Sequence, residues 1–139
     1  MTQNTLRPTD RDAAQKPSLT IWYNTLCPIC DRGITWQKRL LMPAVKAGQV
    51  DFLDINQQPT ALAAYGVSLE AIRQRLHATT ATGALLIGGD VVIAIMAMTP
   101  GQRWLARVLG NRVMRPITCF LYDRFAVLLY RWNKRRGHW

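Results

Sequence analysis

The chain has 139 residues, 49% of them hydrophobic and 19% charged, which fits one folded domain and excludes general disorder. Eighteen Lys and Arg against eight Asp and Glu leave a net charge of +10. The excess is lopsided: residues 1–100 carry nine basic and seven acidic side chains, whereas residues 101–139 carry nine basic ones and only Asp123.

Residues 1–18 hold, after Met1, only one large apolar residue, Leu6, and are expected to form a flexible tail without the apolar stretch of a secretory leader. Leu19 to Tyr23 is short, apolar and rich in strand formers, so it predicts a buried strand. A loop then delivers Cys27-Pro28-Ile29-Cys30. Ile34, Trp36, Leu40 and Leu41 follow at helical spacing and predict an amphipathic helix ending near Met42-Pro43. Val50 to Ile55 alternates apolar and acidic residues as a second strand, closing a βαβ unit. Gln58 to Tyr65 predicts a short helix broken by Gly66, and Ser68 is placed to cap another. Thr79 to Thr82 and Ala84 to Ile87 form two strands about Gly83, and Asp90 is expected to cap a helix over Val91–Met98. That apolar run is far too short to span a membrane. Thr99-Pro100 opens a further helix stopped at Gly110-Asn111. Pro116 begins a last one to about Trp132, with Ile117, Phe120, Leu121, Phe125, Leu128, Leu129 and Trp132 as a broad apolar face.

The order of elements is that of an α/β, thioredoxin-like core, βαβ–α–ββ–α. Residues 19–98 are assigned to that core, and 99–139 to a basic helical extension packed on the same domain. The paired cysteines fall between the first strand and the first long helix. A thiol there feels the positive end of the helix dipole and unpaired backbone amides, both of which favour thiolate. Cys27 is expected to be the more exposed thiol and the attacking nucleophile, and Cys30 the resolving thiol one turn further in. Pro28 fits the first helical position, where its missing N–H costs little. A structural zinc site needs about four ligands. Only Cys119, His77 and His138 remain as obvious donors, none at close spacing, so no metal and no cofactor is expected.

Tyr23-Asn24-Thr25-Leu26-Cys27-Pro28-Ile29-Cys30 resembles the Tyr-Asp-Gly-x-Cys-Pro-x-Cys signature of the DCC family of thiol-disulfide oxidoreductases. Phe52-Leu53-Asp54, Leu76-His77, Gly83, Gly88, Trp104, Pro116 and Tyr122 stand at the family's other positions. The resemblance covers about residues 19–132 and implies a thioredoxin-like fold with dithiol–disulfide exchange on a protein or small-thiol substrate. Asn24-Thr25 replaces the family's Asp-Gly. An Asp there would accept a proton or tune the buried cysteine, which Asn does not do, and Thr resists backbone angles open to Gly.

Tyr23, Asn24, Pro28, Asp31 and His77 are the expected lining of the thiol site. His77 stands where thioredoxin-like folds carry the proline that faces the cysteines, and a histidine there would stabilise a thiolate. Asp31 complements the helix dipole. Trp22 and Trp36 are expected in the core and Cys119 as a buried, inert thiol. The basic helices lack any recognised nucleic-acid motif. They suit an acidic protein partner or an anionic membrane surface, and a non-catalytic binding module built on them is the alternative reading. Without a leader, the expected location is the cytoplasm.

Overall fold

A computed structural model describes residues 17–139; the predicted tail, residues 1–18, lies outside the described residues up to position 16. The elements in order are β1 (Leu19–Tyr23), α1 (Pro28–Leu40), α2 (Met42–Lys46), β2 (Val50–Asp54), a 3-10 turn (Ala63–Tyr65) and α3 (Leu69–Gln74). They continue as β3 (His77–Thr80), β4 (Leu85–Ile87), α4 (Gly89–Met98), α5 (Arg103–Leu109) and α6 (Met114–Arg136). The four strands form one sheet in the order β2-β1-β3-β4. β1 runs parallel to β2, with Ile21 opposite Phe52, and antiparallel to β3, with Trp22 opposite His77. β3 and β4 are antiparallel. This is the thioredoxin-like topology that the order of elements predicts.

Alternation along β1 builds two cores. Leu19 and Ile21 join Val50, Phe52 and Ala78 against Ile34 of α1 and Val91 and Ile95 of α4. Trp22 points the other way, onto Ile55, Leu62 and Ile72. The sheet is thus covered on both faces, and the loop leaving β1 emerges between the layers.

Several boundaries differ from the sequence reading. Pro43 does not end the helical stretch; Leu41 caps α1, and Pro43 sits in the first turn of α2, where no intrahelical N–H is required. Gln58 to Tyr65 forms turns and the 3-10 turn rather than a helix, and Gly66 follows with φ 72°. The hairpin begins at His77 rather than Thr79. Thr99 ends α4 instead of starting a helix, its hydroxyl donating to the Ile95 carbonyl at 2.7 Å. Asp90 lies in the first turn of α4 and accepts two hydrogen bonds from Arg115.

The last helix shows the largest departure. α6 runs from Met114 to Arg136 with Pro116 in its first turn. It buries Ala126 and Asn133, while Phe120, Leu121, Phe125 and Leu128 of the predicted apolar face are exposed. Helical spacing alone does not say which of two apolar stripes turns inward. Small residues settle it here. A Cβ on Gly89 would lie 2.9 Å from the Cys119 Cα, so glycine lets α4 and α6 touch backbone to backbone. Gly88, at φ 66°, gives the same clearance to the Tyr122 ring. The Tyr122 hydroxyl in turn accepts from the Leu76 N–H at 2.9 Å, just before β3. At its far end α6 is tied to α3, where Glu70 accepts from Tyr130 and pairs with Lys134 at 3.2 Å.

Candidate active site

Cys27 is the N-cap of α1. Its Sγ accepts from the Cys30 N–H at 3.2 Å, and its carbonyl accepts from Asp31 N–H at 2.9 Å. A sulfur in this position takes up a donor that the helix leaves unpaired. Pro28 follows as the first helical residue, and Asp31 lies in the first turn.

The preceding loop is held by side chains. Asn24 is buried, and its Oδ1 accepts from the Leu26 N–H at 3.1 Å and from Asn56 Nδ2 at 2.7 Å. The Thr25 hydroxyl donates to Asp54 Oδ2 at 2.8 Å. Thr25 needs no unusual backbone angles: positive φ is confined to glycine among the described residues. Burial works against the Asp54 carboxylate, but hydrogen bonds from Asn56 and Thr25 outweigh it and hold Asp54 below the usual carboxylate range. Asn24 therefore keeps the loop-fixing function of a side-chain acceptor without bringing a second carboxylate to the thiols.

The two thiols are driven apart in acidity. A hydrogen bond from the Cys30 thiol lowers Cys27 from 9.0 to about 6. Burial opposes this, and the Cys30 N–H, the Asn133 side chain and the Ile29 N–H add to the lowering. Cys30 moves strongly the other way, because it gives its S–H to Cys27, is buried, and faces the charge on Cys27. The environment thus favours the charged form at Cys27 and the protonated form at Cys30.

Exposure runs opposite to the sequence expectation. Cys27 is 1% accessible, whereas Cys30 is half-buried. Capping α1 turns the Cys27 sulfur back over the helix end, and Cys30 faces a cavity of about 350 Å³. The cavity lies between α1, α3, α4 and α6. Its walls include Asn24, Cys30, Trp36, Tyr122, Phe125 and Asn133. Trp36, expected in the core, is 56% exposed at this wall; Trp22 is in the core as expected.

Of the other predicted lining residues, Tyr23 packs on the core beside the thiol loop. Its hydroxyl is raised by burial and by the charges of Asp31 and Asp54. Pro28 and Asp31 belong to the first turn of α1. His77 is buried in β3, its Nδ1 paired with the Arg75 carbonyl at 2.9 Å, and burial lowers its pKa. The wall nearest to it is formed instead by Arg75 and Leu76. Cys119 is half-buried, its Sγ 3.7 Å from Asp90 Oδ1, and burial raises its pKa. Among the described residues no three His, Cys, Asp or Glu side chains converge as metal ligands would.

Asn133 was not foreseen. It is 1% exposed, its Oδ1 pairs with His138 Nδ1 at 2.6 Å, and its side chain contributes to the lowering at Cys27. A signal existed: Tyr122, Ala126, Leu129 and Asn133 fall at i, i+4, i+7 and i+11, so a polar residue occupies a core position on the inward stripe.

A family model for the DCC1-like thiol-disulfide oxidoreductases matches residues 21–135, from β1 through almost all of α6. The chain belongs to this family. Neither a curated protein nor a solved structure matches it. The span of the match is informative in DCC1-like terms: it takes in both cysteines, Gly88, Tyr122 and Asn133. No helix among the described residues is long and apolar enough to cross a membrane.

Proposed function

We propose that the protein performs dithiol–disulfide exchange, with Cys27 as nucleophile and Cys30 as resolving thiol. The observation that carries the reading is the Cys27 sulfur at the start of α1, receiving the Cys30 N–H at 3.2 Å. Cys27 thiolate attacks a substrate disulfide; one substrate sulfur leaves as thiolate and the other is bonded to Cys27. The charge that kept Cys30 protonated is then gone. Cys30 passes its proton to the leaving thiolate or to water and attacks Cys27, releasing the second thiol and closing Cys27–Cys30. The substrate gains two electrons and the dithiol loses two; a thiol reductant of the cytoplasm, where we place the reaction, restores the pair. Pro28, Asp31 and Tyr23 frame the start of α1, and His77 supports β3 behind it.

Trapping tests the order of events. Cys30→Ser protein should accumulate a mixed disulfide on residue 27, and Cys27→Ser protein should accumulate none. A stable adduct on Cys30 in Cys27→Ser protein at a comparable rate would reverse the roles.

A second reading concerns binding. Phe120, Leu121, Phe125 and Leu128 are exposed on α6 among Arg124, Arg131 and Arg135, which suits an anionic lipid surface better than a nucleic acid. Flotation with phosphatidylglycerol vesicles, but not with phosphatidylcholine vesicles, is the expected result. An acidic protein partner would leave both floats empty.

A further inference from the structure

We propose that the cavity beside Cys30 binds a small apolar disulfide carrying an oxygen acceptor, and that this is the substrate class of the exchange site. The substrate assignment rests on the exchange reading above; the binding site does not.

Three observations carry it. First, the cavity of about 350 Å³ is walled mainly by apolar side chains, among them Ile29, Ile34, Phe125 and Leu129. Small-molecule sites begin at roughly 300 Å³ and pair such walls with a few polar groups. Second, residues of that wall hold buried polar atoms without partners: Asn24 Nδ2, Gln37 Oε1 and Arg73 Nε. Asn24 is only 4% exposed, and both lone-pair directions of its Oδ1 are already used. Asn56 bridges the two donors, giving Nδ2 to Asn24 at 2.7 Å and accepting from Arg73 Nη2 at 3.3 Å. Two idle donors therefore lie close together, next to the loop that leads to Cys27. Idle buried donors are costly, and a carbonyl or carboxylate oxygen would satisfy them. Third, Cys27 is 1% exposed. A disulfide fixed on a folded protein surface does not reach it, whereas a small disulfide in the cavity lies against Cys30, whose N–H holds the Cys27 sulfur at the end of α1.

Gly33 provides the test. It lies on the cavity wall within α1, and a Cβ there would meet nothing within 4 Å. Leucine is a better helix former than glycine, so Gly33→Leu fills space without disturbing the fold. Binding is measured by calorimetry on protein carrying Cys27→Ser and Cys30→Ser, which removes exchange. The probes are oxidised lipoic acid, octanoic acid and bis(2-hydroxyethyl) disulfide. The two acids should bind, the hydroxyethyl disulfide at least about tenfold more weakly, and Gly33→Leu should weaken both acids by about tenfold or more. No heat with either acid, or undiminished binding by Gly33→Leu, overturns the site. Turnover by the cysteine-containing protein separates the two readings. If the serine protein binds lipoic acid while the cysteine protein fails to reduce it, the exchange reading falls. If lipoic acid is reduced with a KM unchanged by Gly33→Leu, or insulin is reduced faster than lipoic acid, the cavity assignment falls and exchange stands.

Discussion

Asn133→Ala should raise the pKa of Cys27 without unfolding the protein. Asn133 is 1% exposed on α6, its carbonyl side is engaged by His138, and its amide is one of the donors that favour the Cys27 thiolate. A hydrogen bond to a charged group contributes about 1.5–3 kcal/mol, and one pKa unit corresponds to about 1.4 kcal/mol. Removing this donor should therefore move Cys27 upward from about 6 by one to two units. The Cys30 hydrogen bond and the end of α1 remain, so the thiol should still titrate below its ordinary value. Asn133→Asp should raise it further, because a carboxylate would then face the thiolate. The assay is thiolate absorbance at 240 nm against pH, in a Cys119→Ser background so that only the pair contributes. Circular dichroism confirms folding. A Cys27 pKa within about 0.3 units of the parent in Asn133→Ala would refute the assignment, since a hydrogen bond that weak falls below about 0.5 kcal/mol.

Two further outcomes follow from other parts of the molecule. Unfolding should return Cys27 to its ordinary value near 9.0 from about 6, so the unfolded chain binds the extra proton between those values and the reduced protein gains stability as pH rises from about 6 to 9. Above that range the sign reverses, because Cys30 stays protonated when folded but ionises when unfolded. Denaturant midpoints across pH 5–10 should show the rise in the parent and not in Cys27→Ser; an identical profile for both would count against the thiolate. Tyr122→Phe should cost about 1–3 kcal/mol by leaving the Leu76 N–H without its partner. Gly88→Ala should destabilise as well, since a methyl group would meet the Tyr122 ring at 3.2 Å from a backbone at φ 66°. Thermal melts check both, and an unchanged melting temperature in either would contradict the packing of α6 described above.

The sequence made the core legible where local signals agree. Pro28, the apolar spacing after it and the strand-forming run Leu19–Tyr23 all favour a strand–cysteine–helix junction, and the parallel pairing of β1 with β2 follows from one helix between two strands. Local pattern failed where a second element decides. The exposure of Cys27 depends on how far its sulfur folds back as a cap, which no spacing encodes. The inward face of α6 depends on Gly88 and Gly89, which stand on another element and admit Tyr122 and Cys119. Read alone, α6 offers two apolar stripes, and the larger side chains of Phe120, Leu121, Phe125 and Leu128 attract the core assignment. Packing against α4 instead selects the stripe with Ala126, because close approach needs small residues. His77 illustrates the opposite case: its position in the chain suggested the thiol site, but it is buried in β3 with its Nδ1 on the Arg75 carbonyl and does not line the cavity beside Cys30.

The ionisation of the thiols and access to them come from different parts of the chain. Cys27 owes most of its acidity to the start of α1, within the first hundred residues, whose charges nearly cancel. The cavity beside Cys30 needs Tyr122, Phe125, Leu129 and Asn133 of α6 for its far wall. Without that helix, Ile72 and Ile95 would face water and the Leu76 N–H would lose the Tyr122 oxygen. The side of Cys30 that now faces the cavity would then face solvent. The same helix carries its arginines outward, so its inner face shapes the site while its outer face supplies the charge. A second copy brought against that outer face would set Arg124, Arg131 and Arg135 against their own kind. Like charges repel, so α6 is ill suited to pair with its own copy through this face.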